Sequence, residues 1–282
     1  AREGRPRHEG TPMRKALIIA LPLLLVAIAL GAWLPRSDPS LAPETVSLTS
    51  REYRFRPAGD YWRDARPVDA PLRSERLVPR FAVMKYQVSR AEYARCVDAG
   101  ACLALDGQAA TPGADLPLTG ASLLDAQLYA EWLSKRTGQR WRLPSDEEWA
   151  FFAGSRWADD ALRIDDDGRN PARRWLARYR FEAAAASEGP ARAQPRGSHG
   201  LNELGVADLA GNVWEWTQSC HTRVSLDADG AEKSRVETCS IRIAEGRHRA
   251  AINEFVRDAR GGGCSAGQPP DNLGFRLVRE LP

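Results

Sequence analysis

The stretch GLNELGVADLAGNVWEW, Gly200 to Trp216, is the most informative part of the chain. It contains a Gly-Asn turn at Gly211, followed by two tryptophans that flank a single carboxylate, Glu215. A carboxylate among large apolar side chains can be buried only if hydrogen bonds or a cation compensate its charge. The stretch therefore indicates a specific fold with a buried acidic group.

Two further segments share this mixture of aromatic, charged and turn residues. They are WRLPSDEEWAFFAGS, Trp141 to Ser155, and NLGFRLVRE, Asn272 to Glu280. Together the three segments resemble the formylglycine-generating enzyme family, the sulfatase-modifying-factor type of domain, from near Phe55 to the C-terminus. The resemblance implies an α+β class with an irregular C-type-lectin-like fold. Short predicted strands and many Gly and Pro breaks favour the same class.

Local patterns predict several elements of this fold. Leu77 to Val88 is rich in β-branched and aromatic residues, which is typical of strand structure. Three helices are expected where a serine precedes an acidic residue by three positions, because the two side chains can cap free backbone N–H groups. These starts are Ser89, Ser122 and Ser145, and a fourth helix is expected around Pro171 to Ala186.

The N-terminal region has the pattern of a membrane anchor. Ala16 to Leu34 is an uncharged run of about 19 residues, close to the length that spans a bilayer, and it follows Arg14 and Lys15. A cleaved signal peptide is the alternative, with a small-residue site near Ala29, but length favours a retained anchor. The chain is then expected to divide into a cytoplasmic tail (1–15), a transmembrane helix (16–34), a linker (35–50) and a formylglycine-generating-enzyme-like domain (51–282). The expected location is the inner membrane, which the chain crosses once, with the folded domain in the periplasm.

The charge distribution argues against a nucleic-acid partner. The formal net charge is +3, but the segment before Ser37 contains six basic and two acidic residues. The rest of the chain then holds 34 basic and 35 acidic residues, so the basic excess is confined to the N-terminus.

Five cysteines in an exported domain are expected to form disulfides. Cys96 and Cys102 enclose a short loop, and Cys220 and Cys239 flank a polar insertion, so both are candidate pairs. Cys264 is the fifth cysteine and belongs to neither candidate pair. It could replace either member of the second pair, because connectivity does not follow from sequence.

Glu215 is a candidate metal ligand. In the resembled family the Gly-Asn turn holds a structural calcium, which would place the backbone oxygens of Gly211 and Val213 and the carboxylate of Glu215 near the ion. Calcium prefers such oxygen ligands. The alternative is that Glu215 accepts hydrogen bonds from the backbone or from arginine, as buried carboxylates commonly do.

The catalytic residues of the resembled family have no equivalents here. In formylglycine-generating enzymes two cysteines bind copper(I) and support oxidation of a substrate cysteine by dioxygen. The corresponding positions are Ala250 and Phe255, and neither side chain can bind copper. Cys264 and His248 are the remaining candidates for catalysis, although the sequence favours a disulfide partner or an inert thiol as the role of Cys264.

The sequence is also compatible with other binding sites, for a metal ion or for an anionic ligand. His199, His221 and His248 could join cysteines in a metal site, although their spacing matches no compact motif. The arginine-rich segment from Arg242 to Arg260 could line a cleft for an anionic or peptide ligand, because guanidinium groups pair with carboxylates. An ordinary ion-paired surface has the same pattern.

Three segments of the last third, EGRHRA, FVRDARGGGC and PPDNLGFRLV, resemble a narrower branch, the NirV-type nitrite reductase accessory proteins. That resemblance implies a role in the maturation or assembly of an exported nitrite reductase in denitrification. The first hypothesis is therefore a membrane-anchored accessory protein without the copper-binding cysteine pair. The alternatives are an oxidoreductase that modifies a residue of an exported protein and a lectin-like ligand-binding module.

Overall fold

The computed structural model describes residues 37–105, 115–164, 170, 172–187, 192–254 and 273–282. The strands, in chain order β1 to β12, are Thr45–Ser47, Arg51–Phe55, Asp60–Arg63, Arg66–Val68, Arg73–Leu77, Phe81–Met84, Trp141–Arg142, Trp214–Leu226, Glu232–Glu245, Ala250–Asn253, Leu273–Gly274 and Val278–Glu280. The α-helices, α1 to α4, are Arg90–Asp98, Leu123–Thr137, Asp146–Ala153 and Ala172–Ser187.

The helix predictions are confirmed. Helices α1, α2 and α3 each begin after the expected serine, and all three capping boxes are formed in both directions. Helix α2 ends at Gly138, which adopts a left-handed conformation with φ of 70° that glycine tolerates better than other residues. Helix α4 covers the range expected from sequence with a shift of one residue at each end.

The strands form two main sheets and a small ribbon. One sheet has the order β1-β6-β12-β7, and the other has the order β10-β9-β8-β3-β4 with β11 beside β8. Strands β2 and β5 form a separate antiparallel pair. Because β12 lies between β6 and β7, the C-terminal residues close the first sheet. The predicted strand from Leu77 to Val88 is broken, since β5 ends at Leu77 and β6 covers only Phe81–Met84.

The described structure includes a strand within the range expected to be a linker, 35–50. Strand β1 pairs antiparallel with β6. Val46 and Leu48 are half-buried against the apolar cluster that includes Trp149 and Phe151. Periodicity did not reveal this strand, because it is only three residues long and its partner is distant in sequence.

The core lies between the helices and the two sheets. Trp141 and Trp149 are 4% and 1% exposed, so both belong to this core. The arrangement is a mixed α/β fold with a curled sheet and much irregular chain. Within the described part, no helix has both the length and the apolar character needed to cross a bilayer. The predicted transmembrane helix, 16–34, lies outside the described residues.

Candidate functional site

Glu215 is the centre of a buried polar cluster. It lies near the start of β8, and its side chain is fully buried. Arg276 donates to both carboxylate oxygens, with Nε 2.6 Å from Oε2 and Nη2 2.7 Å from Oε1. Trp149 Nε1 donates to Oε2 at 3.0 Å, and Gln87 Nε2 donates to Oε1 at 2.8 Å. Each oxygen therefore accepts two hydrogen bonds.

This cluster explains why three distant sequence segments contain the same mixture of aromatic and charged residues. Glu215, Trp149 and Arg276 each come from one of them, and they meet at a single carboxylate. Arg276 is also fully buried, and it donates to the carbonyls of Met84 at 3.2 Å and Ala207 at 2.9 Å. The charges are paired and almost fully hydrogen-bonded, as buried ions must be.

The residues do not fit a calcium ion at Glu215. Two donors occupy each carboxylate oxygen, and the nearest charge is the cationic guanidinium of Arg276, so the alternative of hydrogen bonding is the one observed. The carbonyl of Gly211 accepts from Arg247 Nη2 at 3.4 Å. Val213 is a buried core residue, 2% exposed. The described contacts of Glu215 are therefore those of the hydrogen-bonded alternative.

The turn itself is held by hydrogen bonds within the chain. Asn212 donates to the carbonyl of Gln194 and accepts from its amide, both at 2.8 Å. The ring of His199 lies against Gly211, and a Cβ atom there would approach it to 2.7 Å. Gly211 is therefore required for close packing, which is the local reason for glycine at this turn.

A second buried charged cluster surrounds Arg249, which lies between β9 and β10. Its guanidinium pairs with Asp160, lies 3.4 Å from Asp146 Oδ2 and lies 3.9 Å from Glu245 Oε1. Burial works against its charge, but Asp146 and Asp160 raise the pKa of Arg249 above its usual value. Three carboxyl groups thus surround one cation.

Three carboxyl groups share one guanidinium in this cluster, and the pKa of Glu245 responds to that excess of acidic groups. Burial raises the pKa of Glu245 well above its usual value, and the neighbouring carboxyl group of Asp146 adds to the effect. Its Oε1 atom and Oδ1 of Asp146 are buried without a hydrogen-bond partner among the described residues. No local sequence pattern indicates this pair, because Asp146 and Glu245 are far apart in the chain.

His248 is buried beside Trp214. Its side chain is 4% exposed, and its ring contacts the indole edge to face with centroids 5.3 Å apart. Nδ1 lies 2.9 Å from the carbonyl of Arg249, and burial lowers the pKa of His248. Within the described structure the ring packs against Trp214, and its Nε2 atom is buried without a hydrogen-bond partner. Cys264, the other catalytic candidate, lies outside the described residues.

A polar cleft lies over strand β10. Its lining includes Ala250, four arginines and three aspartates. Three of the arginines are paired: Arg56 with Asp159, Arg174 with Asp69 and Arg249 with Asp160. Arg178, on α4, is exposed and has no ion pair among the described residues.

Ala250 lies where the resemblance places a copper-binding cysteine. It is 3% exposed, and its methyl group offers no metal ligand. Phe255, the second such position, lies outside the described residues, and its side chain also has no donor atom. Copper(I) bound by a pair of thiolates therefore does not fit these two positions.

Among the described residues, the cysteines and histidines do not form a shared site. Disulfides join Cys96 to Cys102 and Cys220 to Cys239. Among the described residues, the one group with metal-ligand geometry is Cys220, Glu237 and Cys239, whose ligand atoms lie within 4.8 Å of one another. Its two sulfurs are bonded to each other, so neither is a thiolate. None of the three described histidines belongs to this group.

Comparisons with known proteins agree with the fold. A family model, Sulfatase-modifying factor enzyme 1-like domain, matches residues 34–281. Inactive C-alpha-formylglycine-generating enzyme 2 of Bos taurus is 28% identical over 176 residues, covering 58% of this chain and 50% of that protein. Formylglycine-generating enzyme of Streptomyces coelicolor is 27% identical over 179 residues, covering 58% of this chain and 52% of that protein.

The chain thus spans about half the length of the curated relatives it matches. Among solved structures, PvdO from Pseudomonas aeruginosa superposes with a TM-score of 0.55 at 24% identity, covering 87% of this chain and 97% of PvdO. At that identity the likeness concerns the fold alone.

Proposed function

The chain belongs to the sulfatase-modifying factor enzyme 1-like family, and from that premise we propose that it is a non-catalytic accessory protein built on this fold. The observation that carries the proposal is the residue at position 250: Ala250 lines the polar cleft, at the position where the resemblance places a copper-binding cysteine. A matching relative is itself named an inactive formylglycine-generating enzyme.

The cleft is the site we assign to the client protein. Its charged lining suits a polar segment better than an apolar one, and Arg178 offers a guanidinium that no described carboxylate neutralises. Guanidinium groups bind carboxylates through paired hydrogen bonds. We therefore expect the client to present an acidic residue to Arg178.

The client we propose is an exported copper nitrite reductase, which the chain helps to mature or assemble during denitrification. This assignment rests on the three segments EGRHRA, FVRDARGGGC and PPDNLGFRLV. The proposed location is the inner membrane, with residues 16–34 as the anchor and the folded domain in the periplasm. The uncharged anchor segment and the basic residues before it support this location.

Deletion of the gene tests the client assignment. In a bacterium that encodes this chain and a copper nitrite reductase, we expect deletion to lower the amount of active reductase and the wild-type chain to restore it. Arg178→Gln should restore it poorly, whereas Arg173→Gln, an exposed residue of the same helix that does not line the cleft, should restore it fully. Unchanged reductase activity after deletion would exclude this client.

Cell fractionation tests the location. The full chain should remain with the inner membrane after a high-salt wash, and a chain that starts at Ser37 behind a cleavable export signal should appear in the soluble periplasmic fraction. Release of the full chain by salt alone would contradict the anchor.

A further inference from the structure

The hairpin of β8 and β9 extends beyond the part of the sheet that β10 covers. Strand β10 pairs only with residues 241–244 of β9. Residues 232–240 of β9 are all exposed, although they pair with β8 on one side. In the described structure no strand pairs with the other side of this segment. Another protein can therefore approach it closely.

The Cys220–Cys239 disulfide lies in this exposed hairpin. Cys239 is exposed and Cys220 is half-buried. The chain contains a natural comparison, because Cys96 and Cys102 form a disulfide whose residues are 0% and 7% exposed. A thiol can therefore reach the hairpin disulfide but not the buried one without local opening.

An arginine contacts one sulfur of the exposed bridge. Nη1 of Arg242 lies 3.1 Å from Sγ of Cys220, and the same atom donates to the carbonyl of Gln218 at 2.6 Å. Nε lies 3.9 Å from the carboxylate of Glu254. These contacts hold the guanidinium against the sulfur. A guanidinium at that distance stabilises a thiolate, and a stabilised thiolate is a better leaving group.

The other charge near the bridge has the opposite sign. A carboxylate oxygen of Glu237, which is exposed, lies within 4.8 Å of both sulfurs. It repels an incoming thiolate and opposes the effect of Arg242. Because Arg242 contacts Cys220 directly, the stabilising charge is concentrated on one sulfur. The two sulfurs are thus unequal: Cys239 is the accessible one, and Cys220 is the one that leaves.

From this geometry we propose that the Cys220–Cys239 bridge exchanges with dithiols of a partner protein. A partner thiolate attacks Sγ of Cys239, the disulfide breaks, and Cys220 leaves as a thiolate beside Arg242. The second partner thiol loses its proton to solvent, and its thiolate attacks the mixed disulfide and releases Cys239. Two electrons pass from the partner dithiol to the bridge, so the partner gains a disulfide and this chain gains two thiols.

Exchange with dithiothreitol tests this activity without an identified partner. The full chain, carrying Cys264→Ser so that its fifth cysteine cannot take part, is treated under native conditions, quenched with an alkylating agent and analysed by mass spectrometry. We expect Cys220–Cys239 to be reduced at least about tenfold faster than Cys96–Cys102. Equal rates for the two bridges would overturn the proposal.

Charge variants separate this activity from simple exposure. Arg242→Gln should slow reduction of the Cys220–Cys239 bridge about tenfold, and Glu237→Gln should accelerate it severalfold. Arg235→Gln is the matched control, because Arg235 lies on the same strand and pairs with Glu232, 2.6 Å away. A purely structural bridge would not respond in opposite directions, so similar rates in all three variants would overturn the proposal.

A monothiol identifies the attacked sulfur in the protein without any change at the bridge. With glutathione as the probe, the mixed disulfide should be found on Cys239. Glutathione on Cys220 would contradict the assigned direction, even if Arg242→Gln fails to fold.

Discussion

At the scale of single residues, Glu215 and Arg276 connect sequence to fold. Both side chains are fully buried, and their bidentate pair joins β8 to the segment before β12. The attraction between such charges is largely offset by their desolvation, so a buried pair contributes more to the choice of one structure than to net stability. Loss of one partner is costly, because it leaves the other charge buried and unpaired.

Replacement of Glu215 tests this role. Glu215→Gln keeps the shape of the side chain but leaves Arg276 without a counter-charge, so the free energy of unfolding should fall by about 3–5 kcal/mol. Urea denaturation measures it. The control is Glu131→Gln, which breaks an exposed pair with Lys135 and should cost less than about 1 kcal/mol. Equal effects of the two substitutions would refute the role given to Glu215.

Glu245 should make stability depend on pH. Its pKa in the folded chain lies above the value of 4.5 that an exposed glutamate has, because of burial and the nearby Asp146, partly opposed by Arg249. The folded state therefore keeps a proton that the unfolded chain releases as the pH rises above about 4.5, so stability is lost in that direction. The charge of Asp160, which also faces Arg249, likewise raises the pKa of Glu245.

Glu245→Gln removes this titration. Relative to the wild type, the free energy of unfolding of the variant should increase as the pH rises from 4.5. Denaturation curves at several pH values measure the difference, and other titrating groups cancel in it. A difference that stays constant, or that changes in the opposite direction, would show that Glu245 is not held in its protonated form.

At the scale of elements, the capping boxes fix where three helices begin. At α3, Ser145 Oγ accepts from the amide of Glu148 at 3.0 Å, and Glu148 accepts from the amide of Ser145 at 2.8 Å. Arg142 then donates to both oxygens of Glu148, at 2.6 and 2.7 Å. The cap thus also connects the helix to β7.

Ser145→Ala should cost about 1 kcal/mol of unfolding free energy, because one amide at the N-terminus of α3 loses its acceptor. The loss should appear in thermal or urea denaturation. Ser74→Ala is a suitable control, since Ser74 is an exposed residue of β5, and it should change stability little. A negligible effect at Ser145 would mean that the contact with Arg142 alone sets the start of the helix.

The success of sequence-based prediction differs between these elements for a physical reason. Helix starts at Ser89, Ser122 and Ser145 depend on residues three positions apart, so a local pattern is sufficient. The acid pair of Asp146 and Glu245 depends on contacts across the whole chain, and no local pattern reports it. For Glu215 the sequence indicated burial, but its partner Arg276 could not be distinguished from calcium without coordinates.

At the scale of the whole molecule, strand β1 tests the domain boundary, because it is the first strand of the described residues. A chain that starts at Arg51 lacks β1, which leaves an edge of β6 unpaired and removes Val46 from the core. It should melt several degrees lower than a chain that starts at Ser37, and it should aggregate more readily. Equal melting temperatures would place the domain boundary at 51.

The central claim is that this molecule keeps the fold of its family without the copper chemistry of formylglycine generation. In the most direct test, the purified chain is incubated with copper(I) and a cysteine-containing peptide. Bound copper and dioxygen consumption are then measured for the wild type and for Cys264→Ser. We expect no copper-dependent dioxygen consumption in either form. Copper-dependent turnover that Cys264→Ser abolishes would contradict it.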